Sequence, residues 1–212
     1  MVHRHGEVVG GNHETSQRVA DAIFKALEPA VPERLSAGGP TTSGLLLFAG
    51  NDDQGRWTTL YETHGGGEGA RAERDGAPVV RVHMSNVMNT PAEVIEAEYP
   101  IRVECQRLRR GSGGKGAHRG GEGLVREYRV LAEELSLTSM FERAVIPPYG
   151  LQGGEAGARF RVRVVPASGA PYILPGKANV RLARGDLVIV ESCGGGGYGT
   201  PPDGAPGRTD TE

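Results

Sequence analysis

The stretch TPAEVIEAEYPIRVECQRL, residues 90–108, sets the reading of the chain. Thr90, Pro91 and Glu93 have the spacing of a capping box: a capping hydroxyl, a proline at the first helical position, and a glutamate three residues after the cap. A helix is expected from there to Glu98 or Tyr99. Pro100 ends it by disfavouring helical geometry in the residue before it. Directly afterwards Ile101, Val103 and Cys105 alternate with Arg102, Glu104 and Gln106, the period-two pattern of a half-buried strand, which makes Cys105 a core residue. A two-turn helix running straight into an alternating strand points to a chain organised around sheets.

Upstream, residues 14–28 place Val19, Ile23 and Leu27 four apart beside Phe24. This is a helix face expected to pack on the core, with Asn12, Thr15 or Ser16 as caps and Pro29 and Pro32 as stops. Leu45 to Phe48 and Trp57 to Tyr61 flank the turn-rich NDDQG (51–55) and predict a hairpin. Further strands are expected at Leu124 to Leu131, Leu135 to Met140, Phe160 to Val165, Ala178 to Leu182 and Leu187 to Glu191. Gly65, Gly66 and Gly67 suit neither strand nor helix interior, so they imply a loop or a backbone pressed against a neighbour. The fold class that follows is α+β and β-rich: mixed sheets, few short helices and long glycine-rich loops. One domain is expected over 1–201 and a disordered tail over 202–212.

Glycine supplies 34 of the 212 residues, while aromatic residues are 5%. That is about twice the usual ~7% for glycine, yet the apolar segments between the glycines keep regular periods, unlike a low-complexity chain. A formal net charge of -2 with interspersed signs offers no basic stripe for nucleic acid or anionic lipid. The longest apolar run, Leu45 to Ala49, is far short of the ~18 residues of a membrane span. Cys105 and Cys193 form no CxxC pair, and MVHRHGEVVGG lacks a leader's apolar stretch. The expectation is a soluble, cytoplasmic protein without nucleic-acid or membrane partners.

Two glycine motifs match G-x-G-x-x-G by letter: Gly111, Gly113 and Gly116, then Gly194, Gly196 and Gly199. Neither feeds a predicted helix whose amino terminus would receive a phosphate, and Gly116 follows Lys115 where a phosphate loop needs Ser or Thr. No cofactor is therefore assigned to this chain. The six histidines form no HExxH, and His3 and His5 sit in the terminus, so no metal ligand is assigned. No GxSxG elbow is present. His64 and His83 are the histidines with chemical potential, although a structural histidine bonded to backbone is the simpler reading of each. Glu93, Glu96 and Glu98 read as a cap and solvated helix charges.

Longer words carry further: GGNHETSQRVAD (10–21), YETHGGGEGAR (61–71), HMSNVMNTPAEVIEAEYPIRVE (83–104), GSGGKGAHRGGEGLVREYRVL (111–131), PPYGLQGGEAG (147–157), LPGKANVRLARGD (174–186) and GGGGYGTP (194–201). In that order they resemble the carboxy-terminal part of the hydantoinase B/5-oxoprolinase family, from Val8 to Pro201. The resemblance implies a component of an ATP-dependent cyclic-amide hydrolase of the 5-oxoprolinase or N-substituted hydantoinase type. It implies ATP on a hydantoinase A-type partner subunit, a divalent metal held by an upstream segment, and a small-molecule substrate. A separate amino-terminal half of the B-type subunit would be a further partner. The alternatives are a noncatalytic assembly module or inactive remnant, and a fragment of an acetone or acetophenone carboxylase alpha-type subunit. On this reading His83, Ser85, Asn86 and Asn89 precede the short helix and present polar groups to a carbonyl or acyl phosphate. Tyr61, Glu62 and His64 lead into the triple glycine. His83, Asn86, Asn89 and His64 are thus the candidate site residues.

Overall fold

The computed structural model describes residues 13–202. The terminus carrying His3, His5 and Asn12, and the 203–212 part of the expected tail, lie outside the described residues. The described chain runs α1 (His13–Leu27), a 3-10 turn (Pro32–Arg34), β1 (Leu45–Asn51), β2 (Trp57–Glu62), α2 (Ala92–Glu98), β3 (Ile101–Arg109), β4 (Gly123–Val130), β5 (Glu134–Met140), β6 (Arg161–Val165), β7 (Tyr172–Leu174), β8 (Lys177–Ala183) and β9 (Leu187–Glu191). The strands form two sheets, ordered β2-β1-β5-β8 and β3-β4-β9-β6-β7. The expectation of mixed sheets narrows, because every pair of named strands is antiparallel.

The two sheets share one apolar core. Leu46, Phe48, Leu60, Leu135, Leu137 and Leu182 come from the first sheet, and Ile101, Tyr128, Val130, Val162, Val164, Val188 and Val190 from the second. Alternation along each strand puts these residues on the inner faces, as in a sandwich. The predicted hairpin forms, with Phe48 opposite Leu60. β7 escapes sequence reading because three residues between Pro171 and Pro175 are too few to show a period. Cys105 departs from expectation: it is half-buried, on an edge strand whose register slips between Val103 and Cys105. The inserted Glu104 breaks the inward phase there.

Beside the sandwich the glycine segments pack on one another without forming a sheet. The N–H groups of Gly194, Gly195, Gly196 and Gly197 donate in turn to the carbonyls of Ala158 (3.2 Å), Gly121 (2.9 Å), Gly38 (2.8 Å) and Glu155 (2.9 Å). The direction returns to the 155–158 segment after three residues, whereas a strand's would return after two. That is the period of a polyproline II-like helix, which has no internal bonds and must find them in neighbouring segments. The packing is so close that a Cβ on Gly195 would lie 1.9 Å from the Glu68 carbonyl oxygen, and one on Gly67 would lie 1.8 Å from that of Gly121. The triple glycine of 65–67 is therefore pressed backbone rather than free loop, and neither G-x-G-x-x-G stretch opens a helix.

The first helix contradicts expectation in its orientation. Val19, Ile23 and Leu27 are 54%, 52% and 43% exposed, while Gln17 and Asp21 are buried. What the helix docks against is polar backbone. Glu14 Oε1 accepts from the Ser43 N–H at 2.7 Å and the Thr42 hydroxyl at 3.1 Å. Asp21 Oδ2 lies 2.9 Å from Arg143 Nη2, and Arg143 also donates to the Pro40 and Pro147 carbonyls. Buried donors need acceptors, so the acidic stripe faces in and only Phe24 of the apolar set packs inward, against Leu35, Ala37 and Leu151. Changing Val19, Ile23 and Leu27 together to serine should alter the stability of this chain by no more than about 1 kcal/mol. Asp21→Ala, which strands Arg143, should cost about 3–5 kcal/mol; urea unfolding of both variants checks the reversal.

The capping box also fails to form. The helix begins one residue later than expected, with Pro91 in the capping position at φ -54 and ψ 143 and no side-chain cap. The Thr90 N–H instead points at Glu62 Oε1, 3.3 Å away, and the Thr90 carbonyl accepts from Arg126 Nη2 at 2.8 Å. A tertiary carboxylate has taken the local cap's place.

Candidate functional site

Two charged side chains stand at inward positions of opposite sheets. On β2, Glu62 is in phase with buried Leu60; on β4, Arg126 is in phase with Leu124, Tyr128 and Val130. Period-two geometry sends both into the sandwich. Arg126 Nη1 and Glu62 Oε1 meet at 3.5 Å, with side chains 0% and 2% exposed. Asn89 completes the cluster, its Nδ2 donating to Glu62 Oε1 at 2.7 Å and to the Thr63 carbonyl at 2.5 Å. The Arg126 guanidinium carbon lies 5.3 Å from the Tyr128 ring centroid.

His64 joins the cluster through Tyr128. Its Nδ1 is 2.7 Å from the Gly44 carbonyl and its Nε2 is 2.8 Å from the Tyr128 hydroxyl. A carbonyl only accepts, so Nδ1 carries the proton and Nε2 accepts from the phenol. Complete burial lowers the imidazole's pKa to about 3, reinforced by Arg126 and Arg81 and opposed by the Gly44 bond. Burial also raises the Tyr128 phenol well above its ordinary range. Both groups stay neutral near pH 7, and the histidine links elements rather than shuttling protons.

A pH dependence follows. The unfolded chain protonates this histidine near its ordinary value of ~6.5, whereas the native state resists until about 3. The group's contribution is complete above 6.5 and is lost as pH falls from 6.5 toward 3, by up to the order of 5 kcal/mol. Between pH 6.5 and 5, above most carboxylate titration, the wild-type melting temperature should decline. His64→Gln should be less stable at pH 7.5 but flatter over that interval. A thermal-melt series at fixed ionic strength reads both effects.

The other candidates are placed elsewhere. His83 is half-buried, with its ring edge-on to Phe24 at 4.7 Å between centroids. It borders a separate cavity of about 360 Å³ with Ser36, Glu68, Arg71 and Val80. Burial lowers its pKa, with Arg71 and Arg143 adding to the effect and Asp21 and Glu68 opposing it. His83 and Met84 both hold left-handed backbone, at φ 44 and 51, a conformation costly for such side chains. Asn86 is exposed. The structure therefore brings Asn89 and His64 into one network and leaves His83 and Asn86 outside it. Sequence reading missed Arg126 and Tyr128; the available signal was a charge in phase with Leu124 and Val130. The Cys193 thiol is buried, its pKa pushed up to about 12 by burial. Lys115 of the first glycine motif borders a cavity of about 530 Å³ with Arg110, Arg119, Asp75 and Glu122, a mixed-charge lining. Among the described residues no group of three His, Cys, Asp or Glu is placed to hold a metal ion, and no helix is long and apolar enough to cross a membrane.

A two-sheet sandwich flanked by a glycine bundle, with a charged network buried between the sheets, is the architectural class. Its fold is similar to the ATP-dependent caprolactamase from Pseudomonas jessenii, with a TM-score of 0.74 at 23% identity over 84% of this chain and 33% of that one. It is also similar to an acetone carboxylase in a nucleotide-free structure, with a TM-score of 0.62 at 22% identity over 84% and 28% of the respective chains. The chain belongs to the hydantoinase B/oxoprolinase family, whose model matches residues 3–201. It is 41% identical over 191 residues to an uncharacterized protein of Methanocaldococcus jannaschii, covering 90% of this chain and 33% of that protein. It is 35% identical over 195 residues to 5-oxoprolinase 1 of Arabidopsis thaliana, covering 91% and 14% respectively. The chain thus spans a third or less of these relatives.

Proposed function

We propose that the chain is the carboxy-terminal part of a B-type subunit in an ATP-dependent cyclic-amide hydrolase, of the 5-oxoprolinase or hydantoinase kind. Carrying this reading is the family match over 3–201, supported by the 35% identity to a 5-oxoprolinase over 91% of the chain. Ring opening of an unstrained amide is helped by phosphorylating the carbonyl oxygen, which makes the carbonyl carbon electrophilic enough for water to add. The ring C–N bond then breaks as the protonated amine leaves, and a second water displaces phosphate from the resulting open-chain acyl phosphate. In this reading a hydantoinase A-type partner handles ATP, a divalent metal belongs to an upstream segment of the B-type subunit, and this chain supplies one wall of the substrate site. The Glu62, Asn89 and Arg126 cluster is the best-built polar feature for that wall. His83 and Asn86 lie outside it and serve at most the adjoining surface.

Co-expression of the chain with an A-type subunit and an upstream B-type half, followed by ATP-dependent opening of 5-oxoproline and hydantoins, tests the proposal. Turnover that appears only with all components is expected, and Asn89→Ala should reduce it at least about tenfold. A complete complex with no ring-opening activity would remove the hydrolase reading, and product formation dependent on bicarbonate would favour a carboxylase. The exposed Val19, Ile23 and Leu27 face favours a second reading, an assembly module without catalytic side chains. That reading predicts that Asn89→Ala leaves both complex and turnover unchanged.

A further inference from the structure

Glu62 is 2% exposed. Its Oε1 is engaged by Asn89 and Thr90 and sits near Arg126, but its Oε2 is buried without a hydrogen-bond partner. A carboxylate oxygen left so is costly. The residue borders a cavity of about 190 Å³, shared with Tyr61, Thr63, Arg81, Val87 and Met88. Arg81 is the arginine donor on that cavity, which His13 and Thr90 also line. Its Nη2 donates to Thr63 Oγ1 at 2.6 Å and its Nη1 to the Ser43 carbonyl at 3.4 Å, which holds the guanidinium plane in place. Glu62 and Arg81 interact electrostatically. Val87 and Met88, 42% and 91% exposed, form an apolar rim open to solvent.

We propose that Glu62 Oε2 and the Arg81 guanidinium are the acceptor and donor that read the amide edge of a small ring, so that this cavity is a specificity subsite for an N-unsubstituted cyclic amide. An open-chain secondary amide is trans and turns its N–H and C=O to opposite sides. A five- or six-membered ring locks the amide cis and places both groups on one edge, where a single carboxylate and guanidinium can engage them together. The cavity is smaller than the ~300–1,000 Å³ of sites for drug-sized ligands and suits one small ring, with its methylenes toward Val87 and Met88. This deepens the hydrolase reading and rests on it for the kind of ring. The residues bind and orient; no chemical step is assigned to them.

The test titrates the full chain with 2-pyrrolidone and with N-methyl-2-pyrrolidone, following the Asn89 side-chain amide and the Thr90 N–H by NMR. Saturable binding of 2-pyrrolidone is expected, with the N-methyl compound at least about tenfold weaker because it lacks the N–H that Glu62 accepts. Arg81→Met should weaken 2-pyrrolidone by a similar factor. Val87→Phe, on the exposed rim and therefore tolerated by the fold, should block it. The proposal is overturned by absence of saturable binding, by equal affinity for the two compounds, or by binding indifferent to Val87→Phe. Binding with the expected pattern in a complex that shows no ATP-dependent ring opening would keep the subsite and sink the hydrolase reading. Ring opening without the pattern would do the reverse.

Discussion

Replacing Gly195 by alanine is expected to abolish the native fold, with a loss above about 4 kcal/mol. A Cβ there would stand 1.9 Å from the Glu68 carbonyl oxygen, 2.3 Å from its carbon and 2.8 Å from the Gly69 nitrogen. No rotamer relieves such a clash, because every atom involved is backbone. Nor can the neighbour retreat freely: the Glu68 N–H donates to the Ala77 carbonyl at 2.9 Å, and the Glu68 carbonyl accepts from Gly121 at 2.8 Å. Moving that segment breaks bonds that buried backbone cannot replace. Gly55→Ala is the control. Nothing lies within 4 Å of a Cβ at Gly55, and the only penalty is its φ of +75, about 1–2 kcal/mol for a left-handed residue. Circular dichroism and urea unfolding should show Gly195→Ala without a cooperative transition and Gly55→Ala with one shifted modestly. Comparable, small losses at both positions would contradict the threefold packing.

The second large effect is at the charge pair between the sheets. Arg126→Leu should destabilise by about 3–5 kcal/mol, since it leaves the Glu62 carboxylate buried without its ion-pair partner. The double variant Glu62→Leu/Arg126→Leu should be more stable than Arg126→Leu alone, because no carboxylate is then left between the sheets without its ion-pair partner. It should still fall short of wild type, because Asn89, the Thr90 N–H and the Thr90 carbonyl lose their partners. A double-mutant cycle by chemical denaturation measures the coupling. A cost below about 1 kcal/mol for Arg126→Leu would mean that the pair is hydrated rather than enclosed.

These two sites mark where sequence reading reached and where it stopped. Alternation at Ile101 to Cys105 and at Leu124 to Val130, and the turn signal NDDQG between two apolar runs, located β3, β4 and the β1-β2 hairpin, because a strand's period and a turn's composition are local properties. The same locality misled at α1. Val19, Ile23 and Leu27 define an apolar stripe, but which stripe is buried depends on the partner surface, here unsatisfied donors of residues 42–43 and Arg143. At Thr90 the capping pattern was present by letter, yet Glu62, 28 residues away, offered the Thr90 N–H an acceptor. Of the candidate site residues, Asn89 and His64 fall in one network, linked through Glu62, Arg126 and Tyr128, and His83 and Asn86 lie outside it, because adjacency across the sandwich is set by register between strands distant in sequence.

From its residues alone this chain determines its strands, its turns and its need for glycine wherever backbone must lie against backbone. The tertiary structure alone decides which face of α1 is inside, that Glu62 and Arg126 share one space, and that the glycine segments pack with a period of three. The physical reason is range: periodicity and turn chemistry are settled within a few residues, whereas desolvating a charge or seating one backbone on another depends on atoms that sequence order does not bring together.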